Sequence, residues 1–362
     1  MKDILKSLSD LRTRIDEIDK EIINLLSERA KTAREIAEKK KEGNSVLYCP
    51  EREQEVYLKI KKLNKGILDN ESLNNIFKEI MSAALKLEGS LKIAYLGPAG
   101  TFTHHAAIKK FGNSLELVPI DDVEEIFSAV ESKKVQYGIL PIENSIEGIV
   151  NSTLDSFIDY DLQIYAEINL LIRQNLISYA KELSEIETIF THKQAYGQCR
   201  KWISKNLPSV KFIETTSTSK AVEFITKNKN SKEAAISSLT AAKIFNVPVL
   251  RENIEDNKKN LTRFVIIGNQ AALPSGNDRT SIMFTLPHEA GSLYRALEPI
   301  FSAGINLTCI ESRPMNKELW NYIFYLDMIG HTEDKKIKDA LDKIKKVSTS
   351  FKILGSYPID VT

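Results

Sequence analysis

The chain of 362 residues has few cysteines and no excess of charge of either sign. Cys49, Cys199 and Cys309 are odd in number and far apart. That leaves no disulfide framework and no paired metal-ligand spacing, so a reducing cytoplasmic setting without a metal is expected. Lys and Arg number 50 against 49 Asp and Glu, which makes no global electrostatic case for nucleic acid or a membrane surface. No uninterrupted apolar run approaches a membrane span, and the opening stretch MKDILKSLSDLRTRIDEIDKE is charged throughout, unlike a signal peptide. A phosphate loop ending in Lys-Ser/Thr and the dinucleotide glycine spacing are both missing, so no nucleotide or other cofactor is expected.

What the chain has is length and apolar content for several cores: 42% of residues are hydrophobic, and two to four globular domains are implied. Residues 1–90 read as all helix. Ile4, Leu8, Leu11, Ile15, Ile18, Ile22 and Leu25 recur at steps of four and three, one narrow stripe that continues through Arg29, Ala33, Ile36 and Lys40. Unbroken to Lys41, such a helix spans roughly 55 Å, more than a small monomeric domain covers, so a second copy of the chain is expected against it. Gly43 and Asn44 break it. Pro50 starts a second helix running to Asn64, and Asp69 or Asn70 caps a third ending near Glu88. Arg29 and Lys40 sit on the apolar stripe with Arg12 beside it, where an unpaired buried charge would be costly. Salt bridges or an anionic ligand would both satisfy them.

Residues 91–270 alternate strand-like and helix-like segments, as in an open α/β fold with two lobes and a cleft between them. Four blocks stand out. LKIAYL runs into Gly97–Phe102 (GPAGTF), where Thr101 precedes a helix; this is a plain turn or an anion cradle. The apolar run from Tyr137 ends in Glu143, Asn144 and Ser145, an ordinary turn or a ligand-facing edge. Thr191, His192 and Gln198 lie in THKQAYGQC, with the second lobe expected to start near Ala166. Between the third block and the fourth, the hydroxyls Ser217, Thr218 and Ser219 cap a helix and could also hold a carboxylate. Thr262 and Arg263 then open the strand of NLTRFVIIG, by which the chain returns to the first lobe, a return expected to begin at Ala235–Pro248. His104, His105 and Cys199 read as structural.

After a Pro/Gly linker at Asn269–Asp278, residues 278–362 read strand Arg279–Leu286, helix Leu293–Ala303, strand Ile305–Arg313, strand Leu319–Met328, helix Asp334–Val347 and strand Phe351–Tyr357. That βαββαβ order is compatible with an α+β ferredoxin-like domain. Two blocks in it carry more than fold: Gly291, Ser292 and Leu293 at the first strand-to-helix turn, and Glu311, Ser312, Arg313 and Pro314 after the second strand.

The helical segment resembles the all-helical chorismate mutase domain, the four middle blocks resemble prephenate dehydratase, and the last two blocks resemble the phenylalanine-binding signatures of the ACT regulatory domain. In this order they resemble the bifunctional chorismate mutase/prephenate dehydratase family over nearly the whole chain. The resemblance implies that Arg29, and Arg12 from a partner subunit, hold the carboxylates of chorismate. Lys40 and Glu88 face its ether oxygen, and Glu53, supported by Arg52, binds the ring hydroxyl. Cys49 stands where some members have Asp, Glu88 where some have Gln, and Ser292 where Ala is commoner. Thr262 is implied as partner of the leaving hydroxyl of prephenate, with Arg263 supporting a carboxylate or the local fold, and Thr101, Glu143, Asn144, Ser145, Thr191, His192, Gln198 and Ser217–Ser219 lining the cleft. L-Phenylalanine is implied as effector, and a homo-oligomer, dimer or tetramer, as the assembly. A helical segment kept only for dimerisation, and a non-catalytic amino-acid sensor, are the rival readings; the retained charged residues and the intact Glu143–Ser145 and Thr262–Arg263 argue against them.

Overall fold

A computed structural model describes residues 2–42, 47–89, 91–314 and 322–361. The helix break expected at Gly43–Asn44 and the strand start expected at Leu319 lie outside them, as does the side chain of Ile4. Helix α1 runs Lys2–Glu42, α2 Pro50–Leu63 and α3 Asn70–Glu88. Local chemistry sets the later starts: Pro50 occupies the first turn of α2, and the Asp69 side chain accepts from Ser72 N at 2.6 Å to cap α3. Along α1 the stripe from Leu8 to Leu25 is exposed, Leu11 by 60% and Leu25 by 64%.

The first sheet runs in the order Glu116–Ile120, Lys92–Leu96, Tyr137–Asn144, Leu261–Gly268, Gln163–Leu171, with Gly148–Ile149 paired to the third of these. The first three strands are parallel, and Leu261–Gly268 is antiparallel to both its neighbours. The second sheet is Val249–Arg251, Asn175–Ser178, Glu233–Ser237, Thr188–Thr191, Lys211–Glu214. The second lobe therefore begins at Asn175 and not at Ala166, whose strand pairs with Leu261–Gly268. Ala235 also belongs to the second sheet, so the chain returns to the first only at Leu261. An apolar run keeps its pattern when the chain crosses between sheets, which hides the crossing.

The third sheet is Leu307–Pro314, Tyr322–Ile329, Asp278–Thr285, Ser350–Pro358, all antiparallel. Its helices Ser292–Ser302 and Lys335–Val347 share one core with Ile282, Phe284, Leu326 and Met328. This is the βαββαβ order expected. The opposite face, with Ile323, Tyr325, Leu354 and Tyr357, packs into the core under the first sheet. At Gly355 a side chain would collide with the Ile164 carbonyl, so the two sheets approach closely there. On the first sheet's other face, Tyr48 inserts among Phe111, Tyr137 and Tyr165 and anchors the helical segment. No described helix is long and apolar enough to cross a membrane.

Candidate functional site

Two cavities gather most of the expected residues. The first, of about 430 Å³, lies among α1, α2 and α3 and is lined by Arg29, Lys40, Arg52, Glu53 and Glu88 together with apolar Ile36, Val56 and Leu85. Lys40 Nζ donates to Leu47 O at 3.0 Å and lies 3.5 Å from Cys49 Sγ. Burial pushes the Cys49 thiol up despite Lys40 beside it. Arg12 is not in this cavity: on α1 it stands roughly 25 Å from Arg29 at about 1.5 Å per residue.

Glu53 is held differently from expectation. Arg52, at the exposed rim of the cavity, pairs with Glu55 at 2.5 Å and not with Glu53. Glu53 Oε2 instead accepts from the Tyr48 hydroxyl at 2.9 Å and pairs with Lys110 at 2.8 Å. Adjacent positions on a helix point about 100° apart, so neighbours in sequence are poor mutual supports. Glu51 also lines the cavity and was not anticipated; burial raises its carboxyl.

The second cavity, about 350 Å³, lies between the two lobes, and a wider space of about 680 Å³ shares His192, Gln194 and Gln198 with it. Three helix starts open into the inner cleft. Thr101 accepts from His104 N at the head of α4 (Phe102–Phe111), His192 caps the short helix Lys193–Gln198, and Ser217 accepts from Lys220 N at the head of Thr218–Asn228. A cap satisfies one or two of the four free N–H groups of a first turn; the rest, with the helix dipole, favour an anion. Among the described residues no Lys or Arg lines this inner cleft.

Thr262, 7% exposed, lies at its floor. Asn144 Nδ2 donates to Thr262 Oγ1 and to Asn260 Oδ1, both at 2.8 Å, while Asn144 Oδ1 accepts from Ile146 N and Glu147 N. Thr262 Oγ1 thus acts as acceptor toward Asn144 and keeps its own proton to donate. Gln174 Oε1 and Asn260 Nδ2 are buried polar atoms with no partner among the described residues. Such atoms are rare, and of the two residues Gln174 lines this cleft while Asn260 lines the wider space. Gln174, Phe102 and Phe264 line the cleft without having been singled out in sequence; Gln174 follows an apolar strand end, the signal that marked Asn144.

The lobes are joined at the GPAGTF loop, where Ser219 donates to Ala99 O and Ser238 Oγ donates to Gly100 O at 2.9 Å. Gly100 has φ 88°, and a Cβ there would meet Ser219 Oγ at 2.7 Å, so a side chain would prise the lobes apart. His104 stacks on Tyr95 and accepts from Gly100 N at 3.0 Å, a structural role.

Four expected cleft residues lie elsewhere, and so does Arg263. Thr191 is fully buried and donates to Ile236 O. Ser219 is spent on the lobe contact, and Ser145 closes a turn onto Lys259 O and Leu261 N. Glu143 and Arg263 face away from the cleft, because strand residues alternate and their neighbours Asn144 and Thr262 face in. Arg263 is buried among Glu143 at 3.0 Å, Glu167 at 3.5 Å and Asp327 at 2.5 Å, joining the first sheet to the third. Burial opposes its charge, but Asp327 and then Tyr357, Glu167 and Glu143 hold it firmly protonated. Its placement fits the support of the local fold and not contact with a substrate.

On the third sheet Gly291, with φ 83°, caps the helix Ser292–Ser302, and Glu311–Pro314 lie within the edge strand and not in a loop after it. Arg313 reaches Asp155 of the first lobe at 3.1 Å. Among the described residues no group of His, Cys, Asp and Glu is placed to hold a metal ion.

A family model for prephenate dehydratase matches residues 93–272, and one for chorismate mutase type II matches residues 11–89. The chain is 44% identical over 358 residues to a bifunctional chorismate mutase/prephenate dehydratase of Aquifex aeolicus, covering 98% of each chain. It is 43% identical over 357 residues to one of Pseudomonas aeruginosa, covering 97% of each. Among solved structures it is similar to the prephenate dehydratase of Arthrobacter aurescens in complex with L-Phe, with 33% identity and a TM-score of 0.69, covering 74% of this chain and 90% of that one.

Proposed function

The chain belongs to the bifunctional chorismate mutase/prephenate dehydratases and has both activities, and from that premise we propose that the work divides among domains at residues 1–90, 91–270 and 278–362. The observation that carries the division is the clustering of Arg29, Lys40, Arg52, Glu53 and Glu88 on one cavity and of Thr262 with three helix starts on another.

In the helical cavity Arg29, with Arg12 of a second copy, holds the two carboxylates of chorismate, Lys40 and protonated Glu88 face the ether oxygen, and Glu53 takes the ring hydroxyl. The rearrangement needs no nucleophile. It needs a substrate held compact and donors aimed at an oxygen that gains negative charge as its bond to carbon breaks. In the cleft, the α4 and Thr218–Asn228 helix starts hold the carboxylates of prephenate, and Thr262 donates to the leaving hydroxyl. Carbon dioxide departs from the ring carbon, its bonding electrons aromatise the ring, and the hydroxyl leaves with a proton as water, giving phenylpyruvate.

The third domain has the topology of a ferredoxin-like ACT module, and L-phenylalanine bound near Gly291–Leu293 and Glu311–Pro314 feeds back on the dehydratase. Arg313–Asp155 and Arg263–Asp327 link that domain to the dehydratase lobe. The exposed stripe of α1 supports a homo-oligomer, working in the cytosol, in which a second copy covers it.

The test is purified protein given chorismate, expected to consume it and release phenylpyruvate, with L-phenylalanine lowering the second step. Loss of chorismate without phenylpyruvate, or calorimetry showing no phenylalanine binding, overturns the corresponding part.

A further inference from the structure

Glu53 is the acidic group assigned to the ring hydroxyl, yet the helical segment does not hold its carboxylate alone. Its Oε2 takes Tyr48 O–H at 2.9 Å and Lys110 Nζ at 2.8 Å. Lys110 lies near the C-terminal end of α4, the same helix whose N-terminus opens the interlobe cleft. The paired side chains are only 14% and 11% exposed. An exposed ion pair would count for little, but removing one partner of a buried pair strands the other charge.

We propose that Lys110, supplied by the dehydratase domain, is a positioning residue for the mutase reaction: it fixes Glu53 so that the carboxylate meets the ring hydroxyl of chorismate. This rests on the reading of the helical cavity as the mutase site. Burial works against the Lys110 ammonium, but Glu53 and then Asp360 and Glu167 raise it above its usual range, so it stays charged. The other groups facing Glu53 are the phenols of Tyr48 and Tyr57 and the ammonium of Lys78 on α3. The seam is continuous with the C-terminal tail, where Gln54 Nε2 donates to Ile359 O at 3.0 Å and Asp360 Oδ2 accepts from Asn169 N at 2.7 Å. The mutase domain is thus completed twice from outside itself, by a second copy at Arg12 and by its own chain at Lys110.

The experiment uses the full-length protein, with mutase assayed on chorismate and dehydratase on added prephenate. Lys110→Met is expected to lower mutase kcat/KM about 10- to 100-fold with dehydration unchanged. Lys110→Arg, which keeps the charge, restores most of the loss. A role through Glu53 has a chemical signature: with a chorismate analogue whose ring hydroxyl is replaced by hydrogen, Lys110→Met changes the rate less than about twofold. In a Glu53→Gln background Lys110→Met likewise adds little. Equal loss on chorismate and on the analogue, or full mutase activity in Lys110→Met, overturns the proposal. If Lys110→Met loses both activities, Lys110→Gln, which keeps a polar head without the charge, decides by the same ratio between chorismate and analogue. Should Glu53→Gln itself leave mutase untouched, the assignment of the cavity falls first and the proposal with it; a loss in Glu53→Gln but not in Lys110→Met removes Lys110 alone.

Discussion

The helical cavity and the interlobe cleft, proposed above to take substrates that each carry two carboxylates, are built from different materials. Charged side chains line the first, while hydroxyls, amides and helix starts line the second. The difference follows from architecture. Most of the cavity lies against the flanks of α1 and α3, where backbone donors are spent within the helices, and only the start of α2 at Cys49–Glu53 brings a helix N-terminus to it, so charged side chains predominate. The lobes present three helix starts, whose first-turn N–H groups not taken by the caps are fixed in place and need no reorganisation. A second difference lies in the proposals themselves: the lining of the cleft comes from one chain, whereas the proposed mutase site draws Arg12 from a second copy and rests Glu53 on Lys110 from outside the helical segment.

Complementation would break that contrast most sharply. Arg12→Ala and Arg29→Ala are each expected to lower mutase kcat/KM by about 10²–10³-fold, the usual cost of losing a donor at a charged transition state. A mixed dimer of the two would regain one working site in two. Mutase activity in verified heterodimers is the measurement, and no recovery would place Arg12 in its own chain's site. Thr262→Ala acts on the other region alone. Dehydration is expected to fall about 10²-fold, with chorismate still converted and prephenate accumulating. Phenylpyruvate made from prephenate at the parental rate would remove Thr262 from the chemistry.

The sequence was most legible where structure is local. Pro50 and Asp69 set helix starts within a residue or two, and the stripe on α1 set its length, because caps and periodicity act over a few positions. Asn144 and Thr262 were legible as strand ends bearing polar groups. Glu143 was misread because a block was taken whole, although alternation along a strand turns half of it to the other face; for Arg263 the second of the two readings, support of the local fold, is the one its ion pairs fit. Thr191 and Ser219 were hydroxyls in the right loops but already committed to Ile236 and Ala99. Lys110 has no signal at all: its partner is distant in sequence, and only the packing of α4 on the helical segment brings it to Glu53.

A smaller effect separates the regions by pH. At the ether oxygen a useful contact donates a hydrogen bond, and Glu88 donates only while protonated. Mutase kcat/KM is therefore expected to decline on the alkaline side as Glu88 ionises, because the charged carboxylate repels the developing negative charge. Gln donates at any accessible pH, so Glu88→Gln should flatten that limb and leave the dehydratase profile as it was. Superimposable mutase profiles for the two proteins would take Glu88 away from the ether oxygen.

The smallest effect lies at the seam between the two regions and concerns stability. His105 on α4 is held down to about 4, first by burial and then by Lys109, by Lys78 of the helical segment and by Lys243 of the second lobe. An unfolded histidine titrates near about 6.5. Between those values the unfolded chain binds a proton that the folded chain refuses, so the unfolded state holds more protons and stability rises with pH. The contribution is fully present above about 6.5 and is lost as pH falls through that window. Carboxylates such as Glu223, held near 2 by Lys220 and Lys227, add their own acid loss, but that loss is common to parent and variant and cancels in a difference. His105→Gln carries no titrating group, so its denaturant midpoint should fall less than the parental one between pH 7 and pH 4. Both activities at pH 7 should be unchanged, because His105 lines neither cavity. Parallel midpoint curves for the two proteins would mean that His105 takes its proton in the folded state as readily as in the unfolded one, and that the lysines around it exert no net effect across the seam.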